Sequence, residues 1–239
     1  MSGVVPGRLV LVPVPLTEGG SASALPEVTL AALHGLRHFV VENAKTARRV
    51  LKACGHPGPL QSLEMAVLDE HTPEGGLPAL LAPLRAGADL GLMSEAGCPA
   101  VADPGARLVR LAHAEGVRVV PLPGPSALLL ALMASGLEGQ RFAFQGYLPV
   151  EAAARRERIR GLEQRSRRER ETQILIETPY RNATLWAALL DTLEPGTLLC
   201  AASALTGPAE TVRTASVAAW RKSEAPFRER EPCVFLFLA

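Results

Sequence analysis

Residues 94–105, SEAGCPAVADPG, concentrate two Gly, two Pro and two carboxylates directly after the apolar run Asp89-Leu90-Gly91-Leu92-Met93. Gly97 and Gly105 allow backbone conformations or close approaches that a side chain would block, while Pro99 and Pro104 fix φ and remove N–H donors. The result is a stiff loop open to a ligand or, more plainly, a rigid connection between a strand and the next helix. A second segment of this kind, PLPGPSALLLALMASG at 121–136, ends a strand in a Pro/Gly turn and then starts a helix of small and apolar residues at Ser126. Ser126 and its backbone N–H stand where a helix N-terminus binds a polar ligand; the alternative is a capped, buried helix. Two Gly/Pro exits from neighbouring parallel strands favour the ligand, because open α/β sheets bind ligands beyond the carboxyl ends of their strands.

Such exits presuppose a parallel sheet, and the first half of the chain reads as one. Strands are expected at 8–14 (RLVLVPV), 38–42, 89–93 and 117–121, with helices at 26–35, 43–53, 77–86 and 106–115. Gly55, Gly87 and Gly116 sit just past helical patterns, where a left-handed residue ends a helix. The alternation argues for α/β architecture with helices on both faces of a parallel sheet. In the second half, strands at 141–148, 172–177, 198–204, 210–215 and 233–238 outnumber the helices between them, at 151–170, 182–193 and 217–222. A mixed sheet is expected there. The reading is two α/β domains, 1–121 and 122–239, hinged near Pro121-Leu122-Pro123-Gly124-Pro125.

Composition fits this. The 239 residues can bury a substantial core, and 48% hydrophobic with 21% charged residues is a globular balance. A net charge of +1 gives no general attraction for nucleic acid, so any RNA contact must use a local basic patch. Cys54, Cys98, Cys200 and Cys233 are dispersed and form no C-x-x-C pair, which argues against a zinc site or a disulfide framework and suits a reducing compartment. His34 and His38 straddle a helix end, so no metal is expected. The opening MSGVVPGRLVLVPVP has no basic segment followed by a long apolar one, and no stretch approaches membrane-spanning length. A soluble, cytoplasmic protein is expected.

The two loops, taken with VPVPLTE at 12–18, VENAKTARRVLKACG at 41–55, LDEHTPE at 68–74, GYLP at 146–149 and IETPYRN at 176–182, resemble the tetrapyrrole (corrin/porphyrin) methylase superfamily. These are S-adenosylmethionine-dependent enzymes of two α/β domains. Within it the chain is most similar to the branch that methylates a ribose 2′-hydroxyl of small-subunit rRNA. The resemblance implies a cofactor cleft between the domains. It places Ala96, Gly97 and Cys98 against S-adenosylmethionine and its product S-adenosylhomocysteine, adds Val101 as an apolar contact, and puts Ser126 and Ala127 on the second cofactor turn. Pro13 falls where the first strand enters the cleft, and Glu177, Thr178, Ala204, Leu205 and Thr206 are the contacts implied from the second domain. Backbone groups would read the adenine, ribose and amino acid, and small residues would admit the sulfonium methyl. A homodimer is implied in the same way. A Rossmann-type methyltransferase fits less well, since the first strand exits through VPVPLTE with no G-x-G; nor is there a G-x-x-x-x-G-K-[ST] phosphate loop.

A ribose 2′-hydroxyl is a poor nucleophile until it loses its proton, so a base, or a cation that lowers the hydroxyl pKa, assists the transfer. Glu42 and Lys45 are the candidates for catalysis. Arg48, Arg49, Glu70, His71 and Arg181 are candidates for holding the substrate, with Asp69 among the polar residues of the same segment. The plainer reading is that Glu42 and Asn43 cap a helix whose Lys45, Arg48 and Arg49 form its solvated face. Residues 155–170, RRERIRGLEQRSRRER, could meet phosphates but read better as a solvated face laced with i,i+4 pairs. The rRNA branch carries a further C-terminal extension, whereas this sequence stops at VFLFLA, and bland ASALTGPAE replaces charged residues before the last cofactor turn. Both departures bear on RNA docking and leave cofactor binding intact. The expected function is therefore methyl transfer to RNA, with ribosomal RNA or the small ribosomal subunit as partner and no membrane. The alternatives are methylation of a tetrapyrrole or other small molecule, or cofactor or RNA binding without catalysis.

Overall fold

The computed structural model describes residues 6–17 and 24–239, so Glu18 of VPVPLTE and the first five residues lie outside the described residues. The chain divides into two compact units, one ending at Ser126 and the other Ala127–Ala239.

The first unit runs β1 (Leu9–Leu11), α1 (Glu27–Gly35), β2 (His38–Val41), α2 (Ala44–Ala53), β3 (Glu64–Val67), α3 (Leu77–Leu80), α4 (Ala82–Arg85), β4 (Leu90–Met93), α5 (Gly105–Ala114) and β5 (Val119–Pro121). Its strands form one parallel sheet in the order β3-β2-β4-β1-β5, with Leu9 level with Leu90 on one side and Val119 on the other. β4 is buried at every residue, which is why it reads as an unbroken apolar run rather than an alternating one. Successive side chains still point to opposite faces. Val10, Phe39, Val41 and Met93 pack with Leu33 of α1 and Leu51 of α2. Leu9, Val40, Leu90 and Leu92 pack on the other face with Leu77, Leu81, Leu84 and Leu108. Helices thus cover both faces, as the pattern implied.

Two local expectations change. The single helix expected at 77–86 is broken at Leu81 into α3 and α4, because Pro83 has no N–H to continue the ladder. β3, EMAV, was not expected at all; it is a short edge strand with no buried residue, so its sequence carries neither alternation nor a sustained apolar run.

The second unit contains α6 (Ala127–Ser135), β6 (Phe142–Gly146), α7 (Ala152–Glu169), β7 (Thr172–Ile176), α8 (Asn182–Thr192), β8 (Leu198–Ser203), β9 (Thr211–Ser216), α9 (Val217–Trp220) and β10 (Cys233–Leu238). The sheet is mixed, in the order β6-β7-β10-β8-β9: β6 and β7 are parallel, and β10 is antiparallel to both β7 and β8. Central β10 brings Phe235 against Trp186 of α8, which meets Trp220 edge-on at 5.1 Å between ring centres. Helix α7 starts where Glu151 accepts from the amides of Ala153 (2.9 Å) and Ala154 (2.6 Å), and it buries Ile159, Leu162 and Ser166. Among the described residues, its arginines form no i,i+4 ion pair of the kind expected. Arg165 pairs with Glu171, Arg168 with Glu169, and Arg158 donates to Gln145, so the polar partners lie at the helix end and on β6.

Candidate active site

Three strand exits of the first unit meet at their carboxyl ends. Val14, after β1, donates its amide to the Gly97 carbonyl at 2.9 Å, and Gly97 returns its amide to the Val14 carbonyl at 3.1 Å. Gly97 has φ +71°, a conformation that an L side chain resists, and a Cβ there would stand 3.1 Å from Leu16 Cδ2 and 3.4 Å from the Pro125 carbonyl oxygen. After β5, Gly124 passes so close to Pro13 that a Cβ would come within 2.3 Å of the proline Cβ. The Cys98 thiol lies 3.5 Å from the same Pro125 oxygen. The glycines therefore serve close backbone packing, and the loop they hold presents Ala96 and Val101 to solvent.

The rest of that loop is strained and pinned. Ala100 and Ala102 adopt φ of 66° and 60°, a region that costs an L residue about 1–2 kcal/mol. Asp103 offsets this by accepting from the amides of Ala100 (2.8 Å) and Gly105 (2.7 Å), tying the loop to the start of α5. Burial raises the Asp103 pKa, against the two amide bonds, which lower it. In the sequence alone this carboxylate has no evident role; its place two residues before Gly105 is the available signal.

Glu42, just past β2, faces the same loop. Its Oε1 accepts the Glu95 amide at 3.3 Å. Burial raises its pKa first, the charges of Asp103 and Glu95 add to the rise, and the Glu95 amide opposes it. The capping alternative holds only for Asn43, whose Oδ1 accepts from the amides of Lys45 (2.9 Å) and Thr46 (3.2 Å), so Glu42 is not spent on the helix. Lys45, Arg48 and Arg49 are exposed on α2. Glu70 and His71 are exposed beyond β3 and pair with each other at 3.6 Å. Asp69 turns that loop by accepting from the His71 amide and the Thr72 hydroxyl. Arg107 of α5 fixes it by donating to the carbonyls of Asp69 and Thr72, both at 3.0 Å. This role for Arg107 was not read from the sequence, where the partners are too far apart to associate. His34 turns to the Cys54 carbonyl and His38 to Glu64, so the two do not share a ligand face.

In the second unit Glu177 is buried at the end of β7, and its Oε1 accepts the Thr178 amide (2.7 Å) and two nitrogens of Arg181, Nε at 3.0 Å and Nη2 at 2.6 Å. That hydrogen bond is the main cause of a raised Arg181 pKa; desolvation opposes it and the charge of Glu177 adds to it. Ala204 and Leu205 are buried after β8, and Ala204 and Thr206 hold φ of 48° and 65° in a turn closed by the Thr206 amide on Glu210 at 2.7 Å. The turn exposes Thr206 alone of the three.

A two-unit α/β protein with a ligand-type loop system at its strand ends is the class this geometry defines. The profile described as Tetrapyrrole (Corrin/Porphyrin) Methylases matches residues 21–219. The Ribosomal RNA small subunit methyltransferase I of Pseudomonas aeruginosa is 35% identical over 217 residues, covering 89% of this chain and 74% of that protein. The protein of the same name from Escherichia coli O157:H7 is 32% identical over 228 residues, covering 94% and 76%. Among solved structures, the methyltransferase CobJ superposes with a TM-score of 0.62 at 19% identity over 97% of this chain and 94% of its own. Uroporphyrin-III-C-methyltransferase from Thermus thermophilus gives a TM-score of 0.55 at 20% identity, covering 97% and 92%. The chain belongs to the tetrapyrrole methylase family and is a methyltransferase.

Proposed function

We propose that the chain transfers a methyl group from S-adenosylmethionine to a ribose 2′-hydroxyl of small-subunit ribosomal RNA, releasing S-adenosylhomocysteine. The observation that carries this reading is the Val14–Gly97 junction of two strand exits, packed against the third at Pro125. The residues there suit the donor. Pro13, Ala96, Gly97, Cys98, Val101 and Ser126 are the first-unit positions to which the family resemblance assigns donor contacts, and their small or apolar side chains suit a nucleoside carrying a sulfonium, while the Gly97 amide and carbonyl are themselves taken by Val14. Ala127, Glu177, Thr178, Ala204, Leu205 and Thr206 are the positions to which the family resemblance assigns donor contacts in the second unit. When bound, the donor supplies a methyl on sulfur with a neutral thioether as leaving group, so orientation of the acceptor counts for more than activation of the donor.

Glu42 would accept the 2′-hydroxyl proton, since a carboxylate with a raised pKa is a stronger base than an ordinary one. Lys45 would favour the developing alkoxide. Arg48 and Arg49 would meet phosphates, with Glu70, His71 and Arg181 as further substrate contacts. The RNA preference is supported by the names of the relatives, which are curated as small-subunit rRNA methyltransferases. The partner would be the small ribosomal subunit or its RNA, in the cytoplasm, with the enzyme a homodimer. Among the described residues, no helix is long and apolar enough to cross a membrane. The test is incubation with labelled S-adenosylmethionine and either unmodified small ribosomal subunits or a porphyrinoid. Label in RNA is expected; label confined to the porphyrinoid overturns the RNA reading.

A further inference from the structure

The sequence has two tyrosines, and both are exposed, Tyr147 to 54% and Tyr180 to 71%. The rings of Trp186, Trp220, Phe227 and Phe235 instead pack on one another in the core of the same unit. Isolated exposed aromatics need no explanation. These two are not isolated in the fold: Tyr147 follows Gly146, which pairs with Leu175 of parallel β7, and Tyr180 lies just past the end of β7, so both leave the same end of the sheet. Tyr147 follows β6, and Tyr180 sits in the turn before α8, immediately beside Arg181. The Arg181 guanidinium carbon stands 5.6 Å from the centre of the Tyr180 ring. Buried Glu177 holds that guanidinium through Nε and Nη2, which leaves the Nη1 edge unused by the carboxylate. A cation fixed in this way loses little freedom when it meets an anion.

Aromatic faces beside an ordered cation suit a particular chemistry. A nucleobase stacks on a ring whatever its sequence, and a neighbouring guanidinium takes the phosphate or adds a cation–π contact. A base inside a duplex offers no free face, whereas an unpaired base does. We infer that Tyr147, Tyr180 and Arg181 form a stacking platform for an unpaired RNA nucleotide. The inference rests on the RNA reading above and deepens it by naming where a base is held. Two rings suffice for one or two bases, so an aromatic content of only 4% is no obstacle.

The test uses the full chain and a single-stranded oligoribonucleotide carrying 2-aminopurine, whose fluorescence falls when the base stacks. Wild type is expected to quench it. Tyr180→Phe and Tyr147→Phe should retain the quench, while Tyr180→Leu and Tyr147→Leu should each lose it and weaken binding about tenfold, near the lower end of what one stacked base contributes. The Phe-against-Leu contrast separates stacking from folding or mere apolar contact. Equal behaviour of Phe and Leu variants, or equal binding of the same sequence as a duplex, overturns the platform. If in addition Arg48→Ala with Arg49→Ala weakens binding, the RNA reading survives and only the platform is lost. If wild type binds no RNA at all, both fall.

Discussion

Val14 and Gly97 are bonded to each other twice, amide to carbonyl in each direction, at 2.9 and 3.1 Å. The exits of β1 and β4, far apart in sequence, thereby become one backbone unit. Pro125 closes it from the third exit, and Asp103 holds the strained remainder of the loop. Rigidity at the strand ends is what a methyltransferase requires if its chemistry depends on placing two reactants in line.

Gly97→Ala tests that rigidity. The new Cβ would meet Leu16 and force an L residue to φ +71°, at a cost of about 1–2 kcal/mol. Urea unfolding should show that loss, and calorimetry with S-adenosylhomocysteine should show at least about tenfold weaker binding. Unchanged affinity in the folded variant would remove the loop from the donor site.

Glu42→Gln should act oppositely on stability and on turnover. The folded-state pKa of Glu42 is raised by burial and by neighbouring carboxylates, so its contribution to stability is present below its ordinary pKa and is lost as pH rises through the folded value. The variant should therefore match wild type in acid and exceed it in stability near neutrality, while methyl transfer falls about a hundredfold. Unfolding curves across pH, paired with initial rates, measure both. Unchanged turnover would leave Glu42 a structural residue.

Asp103 holds two amides at once, and an asparagine offers only one carbonyl oxygen. Asp103→Asn should destabilise by about 1–2 kcal/mol, and Asp103→Ala by more, since both Ala100 and Gly105 amides then lose their acceptor. Donor affinity should fall in the same order, because positive φ at Ala100 and Ala102 is no longer held. Chemical denaturation and calorimetry on both variants check the ranking.

Arg107→Ala removes the donor to the Asp69 and Thr72 carbonyls. Faster amide exchange confined to the loop after β3, with a global loss of about 1–3 kcal/mol, is expected. Hydrogen exchange read by mass spectrometry locates the change.

Much of this was legible in the chain, for identifiable reasons. β4 is a short and β10 a longer apolar run bounded by loops, and β10 falls at 233–238 as expected. The Gly/Pro content of the two exits marked them as loops of special geometry. Edge strand β3 was invisible, because EMAV buries no residue and so carries no pattern. The approach of Gly124 to Pro13, and the grip of Arg107 on Thr72, are products of the sheet order, which no local window contains. Tyr180 and Tyr147 are likewise unremarkable until their exposure and the parallel pairing of β6 with β7 are known.

If phosphates bind on α2, affinity for RNA should weaken steeply with salt, since a chain of net charge +1 has only local attraction to offer. Each lost phosphate contact lowers the logarithmic slope by about one. Arg48→Ala with Arg49→Ala should flatten it by about two, in binding titrations from low to high salt. An unchanged slope would place the RNA elsewhere.

Nucleoside analysis of small-subunit rRNA from cells lacking this protein tests most directly whether an RNA ribose is the acceptor. After exposure to the purified enzyme and S-adenosylmethionine, that RNA should gain a 2′-O-methylated nucleoside that Glu42→Gln supplies at about one hundredth of the rate. Methylation of a base instead of a ribose, or none in RNA alongside efficient methylation of a porphyrinoid, would contradict that acceptor.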